Sequence, residues 1–551
     1  MSRFWSTLWG LRDELAAHLV LSFAALALGI AIALPLIVAA ARNRHAARIS
    51  LGLASLVQTV PALALLALFY PLLLSFSALI GGGIPALGFL PALLALALYA
   101  VLPILHNGVA GLRGLDPAVR EAADAMGLTP SQKLRWVEAP LVAPLVLAGI
   151  RTAAVWTVGA ATLATTVGAT SLGNPIFAGL QTQDWVLVLA GCAAAAGLAM
   201  ATDGVLVLVE RGVAQRRPLL AWLGLALVAV ALGWALFPAK VERRPALVVG
   251  AKNFSEQYIL ARLIGSRLGN AGYAVTYREG LGSAVVFKAL KSGDIDAYVD
   301  YAGTLWTSEL KRTDTPAPAA MRAGLAQYLS KPGGARLLGT LGFENAYAFA
   351  MKAEVAKARG IASLQDLVRA APDLTLGSDL EFLDRPEWRA VSAAYPLRFK
   401  ASKRYAPTFM YRALASGDAD VITAFSSDGR IAADKLTVLA DPAHAIPNYD
   451  ALLLVSGRCA ADPRCVAALR PLLGRISVAA MREANYQVDR DTAKQTPDTA
   501  ARWLAAKTGL AGLETGITNA PLRVAPLNQP AQAARLTRSK PQPPSSHAAR
   551  R

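Results

Sequence analysis

The chain has 551 residues, 54% of them apolar, with a mean hydropathy of +0.40 and a formal net charge of +18 at pH 7. Such a length holds two or three domains, and so apolar a composition excludes a single ordinary soluble fold. The charge is spread out, with 14 Lys+Arg against 9 Asp+Glu in residues 1–240 and no basic helix interleaved with aromatics, which excludes a nucleic-acid face.

Nearly all long apolar runs lie before residue 238. Runs of about 20 apolar residues span a bilayer, and six are legible: roughly 16–41, 50–74, 88–109, 139–165, 185–209 and 218–237. Pro61, Pro71, Pro91 and Pro103 fall inside them, which membrane helices tolerate when neighbours satisfy the freed backbone. The first run is longer than a signal-peptide core and is followed at once by Arg42, Arg44 and Arg48, so it reads as an uncleaved span. The loops 42–48, 111–138 and 210–217 are basic, whereas 75–87 and 166–184 carry no Lys or Arg. With basic loops cytoplasmic, the N-terminus and everything after the sixth span lie outside.

The longest cytoplasmic loop holds "EAADAMGLTP", Glu121 to Pro130. Asp116 is placed to cap a helix that has Pro117 at its first position. Gly127 suits the residue that ends it. Thr129, Pro130 and Gln132 read as the capping box of a second helix. The loop therefore reads as a helix–Gly–helix elbow.

"EAADAMGLTPSQKLRWVEAP" resembles the EAA signature of ABC importer permeases, with Val137 and Ala139 where Ile and Leu are commoner. The segments "VQTVPALALLALF", "LYAVLPILHNGVAGL" and "AGIRTAAVWTVGAATLATTVGATSLG" are similar to the osmoprotectant branch of that family. The resemblance implies that Glu121, Ala122, Ala123 and Gly127 couple the chain to a separate ABC ATPase subunit, and that the membrane half forms a homodimer. No phosphate-binding Gly-x-x-x-x-Gly-Lys-Ser/Thr loop occurs, so ATP hydrolysis is not expected of this chain. "GLGSA" at 280–284 lacks the third glycine of a nucleotide loop and reads as a turn.

After Pro238 and "KVERR", the strand-like "ALVVGAKNF" opens a soluble region in which strands alternate with helical patterns, an α/β arrangement. It contains a repeat: "VFKALKSGDIDAYVDYAG" from Val286 and "MYRALASGDADVITAFSS" from Met410. Asp296 then matches Asp420, and Tyr301 matches Phe425. Two related lobes follow, each with a strand ending on an aromatic. Ligands of open α/β sheets bind beyond the carboxyl ends of strands, so Tyr301 and Phe425 line a cleft. Tyr347, in "GFENAYAF", and Tyr449, in "IPNYD", join them by placement. Several ring faces suit a quaternary ammonium, which offers no hydrogen bond and is held by the ring quadrupole. For any one tyrosine, core packing is the competing reading. Lys252, Thr304 and Arg385 suit a carboxylate pole, with surface charge the alternative for the two basic residues.

"GAKNFSEQ", "DIDAYVDYAGTLW", "EFLDRPEW", "AFSSDGRI" and "IPNYD" resemble the binding lobes of glycine betaine/choline/carnitine-type ABC importers across about 245–510. The likeness implies an aromatic cage of Tyr301, Tyr347, Phe425 and Tyr449. It implies a carboxylate grip of Lys252, Thr304 and Arg385, and Asn345 offering its backbone carbonyl to the cation. Phe425 stands where Tyr is frequent. Cys459 and Cys465 fit a small-loop disulfide if this half is extracytoplasmic, with free thiols as the alternative. No metal ligand pairing, cofactor loop or nucleophile motif appears, so no cofactor and no enzyme activity are expected.

The expected architecture is an all-α six-helix transmembrane permease domain (1–240), then an α/β two-lobed periplasmic-binding-protein-like domain (245–520), then a disordered tail (528–551). The expected function is import of a quaternary amine or betaine through a bacterial inner membrane, with the binding domain outside the cytoplasm. Another small zwitterion, such as an amino acid or ergothioneine-like betaine, and a membrane-anchored sensor are the alternatives.

Overall fold

The computed structural model describes residues 2–510 except 81–83, 183, 237–244, 313, 331–333 and 491. The expected link after Pro238 and the expected tail at 528–551 lie outside the described residues. The first half is helical: α1 (Ser2–Gly10), α2 (Arg12–Arg42), α3 (Arg44–Thr59), α4 (Ala62–Leu79), α5 (Phe89–Arg113), α6 (Pro117–Ala125), α7 (Pro130–Lys133), α8 (Ala139–Ala160), α9 (Gly173–Gln181), α10 (Trp185–Ala214) and α11 (Pro218–Leu236).

Among the described residues, five stretches are long and apolar enough to cross a membrane: Arg12–Arg42, Phe89–Arg113, Pro130–Val167, Trp185–Ala214 and Pro218–Leu236. The remaining expected span, 50–74, is not one rod. It is the pair α3 and α4, bent by 103°. Proline disfavours a helical conformation in the residue before it, and Val60, ahead of Pro61, is extended at φ −74°, ψ 125°. The Tyr99 hydroxyl donates to the Val60 carbonyl, so the break leaves this group satisfied. Pro71 and Pro103 stay inside their helices. Helices α2, α5 and α8 pack around a core that includes Ile37, Ile104, Leu105 and Ala153. A Cβ on Gly149 would stand 2.8 Å from the Pro103 carbonyl oxygen, so only glycine lets α8 approach α5 this closely.

The second half has two five-stranded sheets. Lobe one contains β1 (Ala246–Lys252), β2 (Ala274–Leu281), β3 (Ala297–Tyr301), β4 (Ala335–Glu344) and β10 (Asp450–Ser456), in the order β2-β1-β3-β10-β4. Lobe two contains β5 (Tyr347–Lys352), β6 (Thr375–Ser378), β7 (Ala401–Arg404), β8 (Val421–Phe425) and β9 (Leu436–Val438), in the order β7-β6-β8-β5-β9. The orders superpose if β1 answers to β6 and β3 to β8, and the sequence repeat falls on equivalent strands. The equivalence extends to single bonds. Asp296 accepts the Val248 amide at 2.8 Å and donates its own amide to the Val248 carbonyl at 2.7 Å. Asp420 does the same to Thr375, at 2.8 and 2.9 Å. Each aspartate pins its lobe's first parallel strand.

Lobe one rests on the helical half. Tyr70, Ala86 and Leu87 join Leu281, Val286 and Phe287 in one apolar cluster. The Arg278 side chain donates to the Gly168 carbonyl, and Lys494 Nζ donates to the Thr182 carbonyl at 2.6 Å.

Candidate functional site

The chain crosses between the lobes from β4 to β5 and from β9 to β10. The two crossings are bonded to each other: the Asn345 amide donates to the Tyr449 carbonyl at 3.0 Å, and Asn448 Nδ2 donates to Glu344 Oε2 at 3.0 Å. The aromatics converge here. Tyr347 opens β5 and faces Phe425, the last residue of β8, in register. Their ring centroids are 5.1 Å apart. Tyr449 meets Tyr347 edge-on at 5.9 Å, and Phe382 packs on its other side at 4.8 Å. Three of the four expected cage residues therefore touch as one group.

Tyr301 stands in a neighbouring group. Its ring stacks on Phe254 at 6.3 Å. Its hydroxyl donates to Glu256 Oε1 at 2.5 Å and accepts from Gln257 at 3.0 Å. Glu256 also receives Asn345 Nδ2 at 3.1 Å and Asn485 Nδ2 at 2.8 Å, so Tyr301 and Asn345 meet on one carboxylate. The Asn345 side chain thus has a donor role beyond the expected backbone carbonyl. Burial pushes the Glu256 carboxyl up, against the pull of its surrounding donors.

The two expected cationic residues already have carboxylate partners. Lys252 Nζ donates to Asp300 Oδ1 at 2.5 Å, and both side chains are buried. Arg385 forks onto Glu387 with bonds of 2.8 and 3.1 Å, and its guanidinium lies 5.6 Å from the Tyr347 ring centre. The Tyr449 hydroxyl donates to the same carboxylate. Burial alone would raise the Glu387 carboxyl; the bonds and charge of Arg385, with the Tyr449 hydroxyl, outweigh it and hold it below its ordinary range. Thr304 and Arg385, from opposite lobes, line a crevice of about 300 Å³ together with Ser283, Ser308, Glu309 and Glu381. A group entering there meets donors and acceptors from both lobes beside the aromatic cluster.

Glu256, Phe382 and Glu387 are the site residues that sequence reasoning missed. All three lie inside the stretches "GAKNFSEQ" and "EFLDRPEW". The usable signal was a carboxylate two residues from Arg385 at the start of a helix. Cys459 and Cys465 are joined as a disulfide, with Cα atoms 5.5 Å apart.

On the helical half, the elbow has the local chemistry its sequence implies. Asp116 accepts the Ala118 amide at 2.9 Å, and Thr129 and Gln132 form a reciprocal capping box. Gly127 has φ +73°, the left-handed conformation that glycine adopts without strain. Leu128 closes back on the Ala123 carbonyl at 3.2 Å. Glu121, Ala122 and Gly127 are exposed, and Ala123 is buried. Asp124 is held by Lys133 at 2.6 Å, whereas Glu121 shows no side-chain partner among the described residues.

Comparison with known proteins matches the two halves to two separate families. Residues 16–215 match the family model described as the binding-protein-dependent transport system inner membrane component. Residues 245–506 match the substrate binding domain of the ABC-type glycine betaine transport system. The chain is 28% identical over 490 residues, 85% of each chain, to the ergothioneine transport permease/ergothioneine binding protein of Helicobacter pylori (strain G27). It is 38% identical over 194 residues to the choline transport system permease protein of Bacillus subtilis (strain 168), covering 35% of this chain and 84% of that one. It is 41% identical over 189 residues to the osmoprotectant import permease protein of Salmonella typhimurium (strain LT2), covering 34% of this chain and 85% of that one. The helices that can span a bilayer, the elbow and the two-lobed cleft are thus accounted for together: the chain is a multi-pass inner-membrane permease of the binding-protein-dependent ABC transport family, fused to a glycine betaine-type substrate-binding domain.

Proposed function

We propose that this permease and its fused receptor import a small trimethylated amine, a betaine or choline-like cation. The observation that carries this reading is the joined group of Tyr347, Phe425 and Tyr449 at the meeting of the lobes, with Arg385 beside it. Ring faces hold a fixed cation at roughly 0.5–2 kcal/mol each. Thr304 and Arg385 hold the carboxylate, and Lys252 supports the site through Asp300. Tyr301 and Asn345 close over the ligand through Glu256. The rings touch one another in the present arrangement, so the ligand enters as the lobes part and is gripped as they close.

The receptor works outside the cytoplasm, in keeping with the basic loops on the opposite side. Two chains pair through their membrane halves, and a separate ATPase pair docks on the elbows around Glu121, Ala122, Ala123 and Gly127. The fusion keeps the receptor at an effective concentration of roughly millimolar near its permease. A second ligand, ergothioneine, is favoured by the relative that matches over 85% of both chains and bears that name; it is itself a betaine and suits the same rings.

The test is a fluorescence titration of the full chain with glycine betaine, choline and ergothioneine. Saturable binding of one of them is expected, weakened at least tenfold by Tyr347→Ala or Tyr449→Ala. Absence of binding to every trimethylammonium compound sinks the reading. Binding that survives both substitutions points instead to an amino acid held by its carboxylate alone.

A further inference from the structure

Helices α8 and α10 carry a charged cluster that the receptor site does not explain. Arg151 Nε lies 2.9 Å from Asp203 Oδ1, and Arg151 Nη1 donates to Glu210 Oε2 at 2.8 Å. Arg151 is twelve residues into α8, about 18 Å along its axis, and Asp203 is eleven residues from the end of α10, about 16 Å. Arg151 therefore lies well inside its span, Asp203 lies in the cytoplasmic half of α10, and Glu210 borders the basic loop 210–217. Asp203 and Glu210 are two turns apart on one face of α10, and Arg151 reaches both.

The cluster is not hidden within its own chain. The side chains of Arg151, Asp203 and Glu210 keep 37%, 41% and 24% of their accessible surface. Hydrocarbon tails have no answer to a guanidinium and two carboxylates; charges at this depth face a partner or a watery path. The neighbouring surface of α10 carries the small residues Ala193, Ala196, Gly197 and Gly204, all exposed, with the exposed Met200 among them. A Cβ at Gly197 or Gly204 would meet nothing within 4 Å. The charges thus border an exposed face of this chain that a second helix can cover.

We infer that Arg151, Asp203 and Glu210 form a site on the translocation path between two copies of the membrane half, where they take the two poles of the transported amine in turn. This rests on the functional reading above. The guanidinium answers a carboxylate, bidentately if Asp203 releases it. The two acids, in excess by one charge, answer the trimethylammonium group. A compound with both poles uses the whole cluster, and a cation without a carboxylate uses only its acids.

The experiment measures uptake of radiolabelled glycine betaine and choline by the full chain co-expressed with its ATPase, at saturating ligand, alongside receptor affinity by fluorescence. Arg151→Gln is expected to lower glycine betaine uptake about tenfold and choline uptake less than threefold, with receptor affinity unchanged. Asp203→Asn lowers both about tenfold. The exchange Arg151→Asp with Asp203→Arg preserves an ion pair, and is expected to insert at the normal amount yet transport neither compound. An equal loss of both substrates in Arg151→Gln, or normal transport by the exchanged pair, shows a purely structural ion pair and overturns the inference. If the unaltered receptor binds neither compound, the functional reading itself fails and this inference falls with it. Retained binding with equal uptake losses overturns this inference alone.

Discussion

The two lobes are the same scaffold with opposite chemistry at its tip. Their sheets share one strand order, and Asp296 and Asp420 make the same pair of bonds to the first strand. At the cleft, each lobe also offers a carboxylate to a tyrosine of the candidate cage: Glu256 to Tyr301 and Glu387 to Tyr449. Glu256 is surrounded by neutral donors and burial raises its carboxyl. Glu387 has Arg385 across from it and is lowered despite burial. Scaffold bonds tie residues on the same sheet, so duplication keeps them together. The carboxylates answer to neighbours brought in from elsewhere, and there the lobes part company.

The contrast is broken most forcefully at Glu387. Glu387→Gln removes the buried partner of Arg385 and leaves only the exposed Glu381 at 3.5 Å, at a cost of about 3 kcal/mol, seen as a lower melting temperature of the full chain in detergent. Because its folded-state value is depressed, Glu387 contributes fully above its ordinary 4.5 and loses that contribution as the pH falls through the folded value. The glutamine variant should therefore lose part of the acid limb of the stability profile. An unchanged acid limb would mean that Arg385 does not hold this carboxylate.

The twin aspartates should differ in degree. Asp296 is also held by Ser456 and Arg458, whereas Asp420's pinning bonds are the pair to Thr375. Asp296→Ala is expected to cost about 2–3 kcal/mol and Asp420→Ala about 1 kcal/mol, by denaturant unfolding followed in the binding domain. Equal costs would show that the extra bonds of lobe one add nothing.

Glu256→Gln has the opposite pH signature to Glu387→Gln. A carboxyl raised on folding favours the folded state fully below its ordinary 4.5 and loses that contribution as the pH rises through its folded-state value. The variant should flatten the fall in stability as the pH rises above 4.5 and leave the acid limb in place; a steeper fall there would reverse the assignment. The smallest effect is expected from Tyr301→Phe, which gives lobe one the bare ring that Phe425 gives lobe two. Loss of one hydroxyl bond costs about 1 kcal/mol, and ligand affinity should fall by less than tenfold in the fluorescence titration. A larger fall would place the hydroxyl against the ligand itself.

What the sequence revealed was what short-range chemistry controls. The elbow was legible because Asp116, Gly127, Thr129 and Gln132 act on neighbours one to four residues away. The lobes were legible because the repeat keeps Asp296 and Asp420 in step. The bend at Pro61 was not, because it depends on whether a distant hydroxyl, that of Tyr99, meets the freed carbonyl; at Pro71 and Pro103 the helices carry on. The carboxylate partners were equally hidden. Tyr301 finds Glu256 across 45 residues and Tyr449 finds Glu387 across 62, and no local spacing encodes such meetings.

The elbow has a mechanical consequence. Its capping box, its left-handed glycine and the Lys133–Asp124 pair are all closed within eighteen residues, Asp116 to Lys133. A segment that satisfies itself in this way has little slack. On the coupling role proposed above, it would act as a stiff crank whose throw is set by its own bonds: a push on its exposed tip would turn the helices at its ends instead of being absorbed in the turn. If the elbow couples to an ATPase as proposed, lengthening that turn by a residue or two should leave every helix intact and still spoil the stroke.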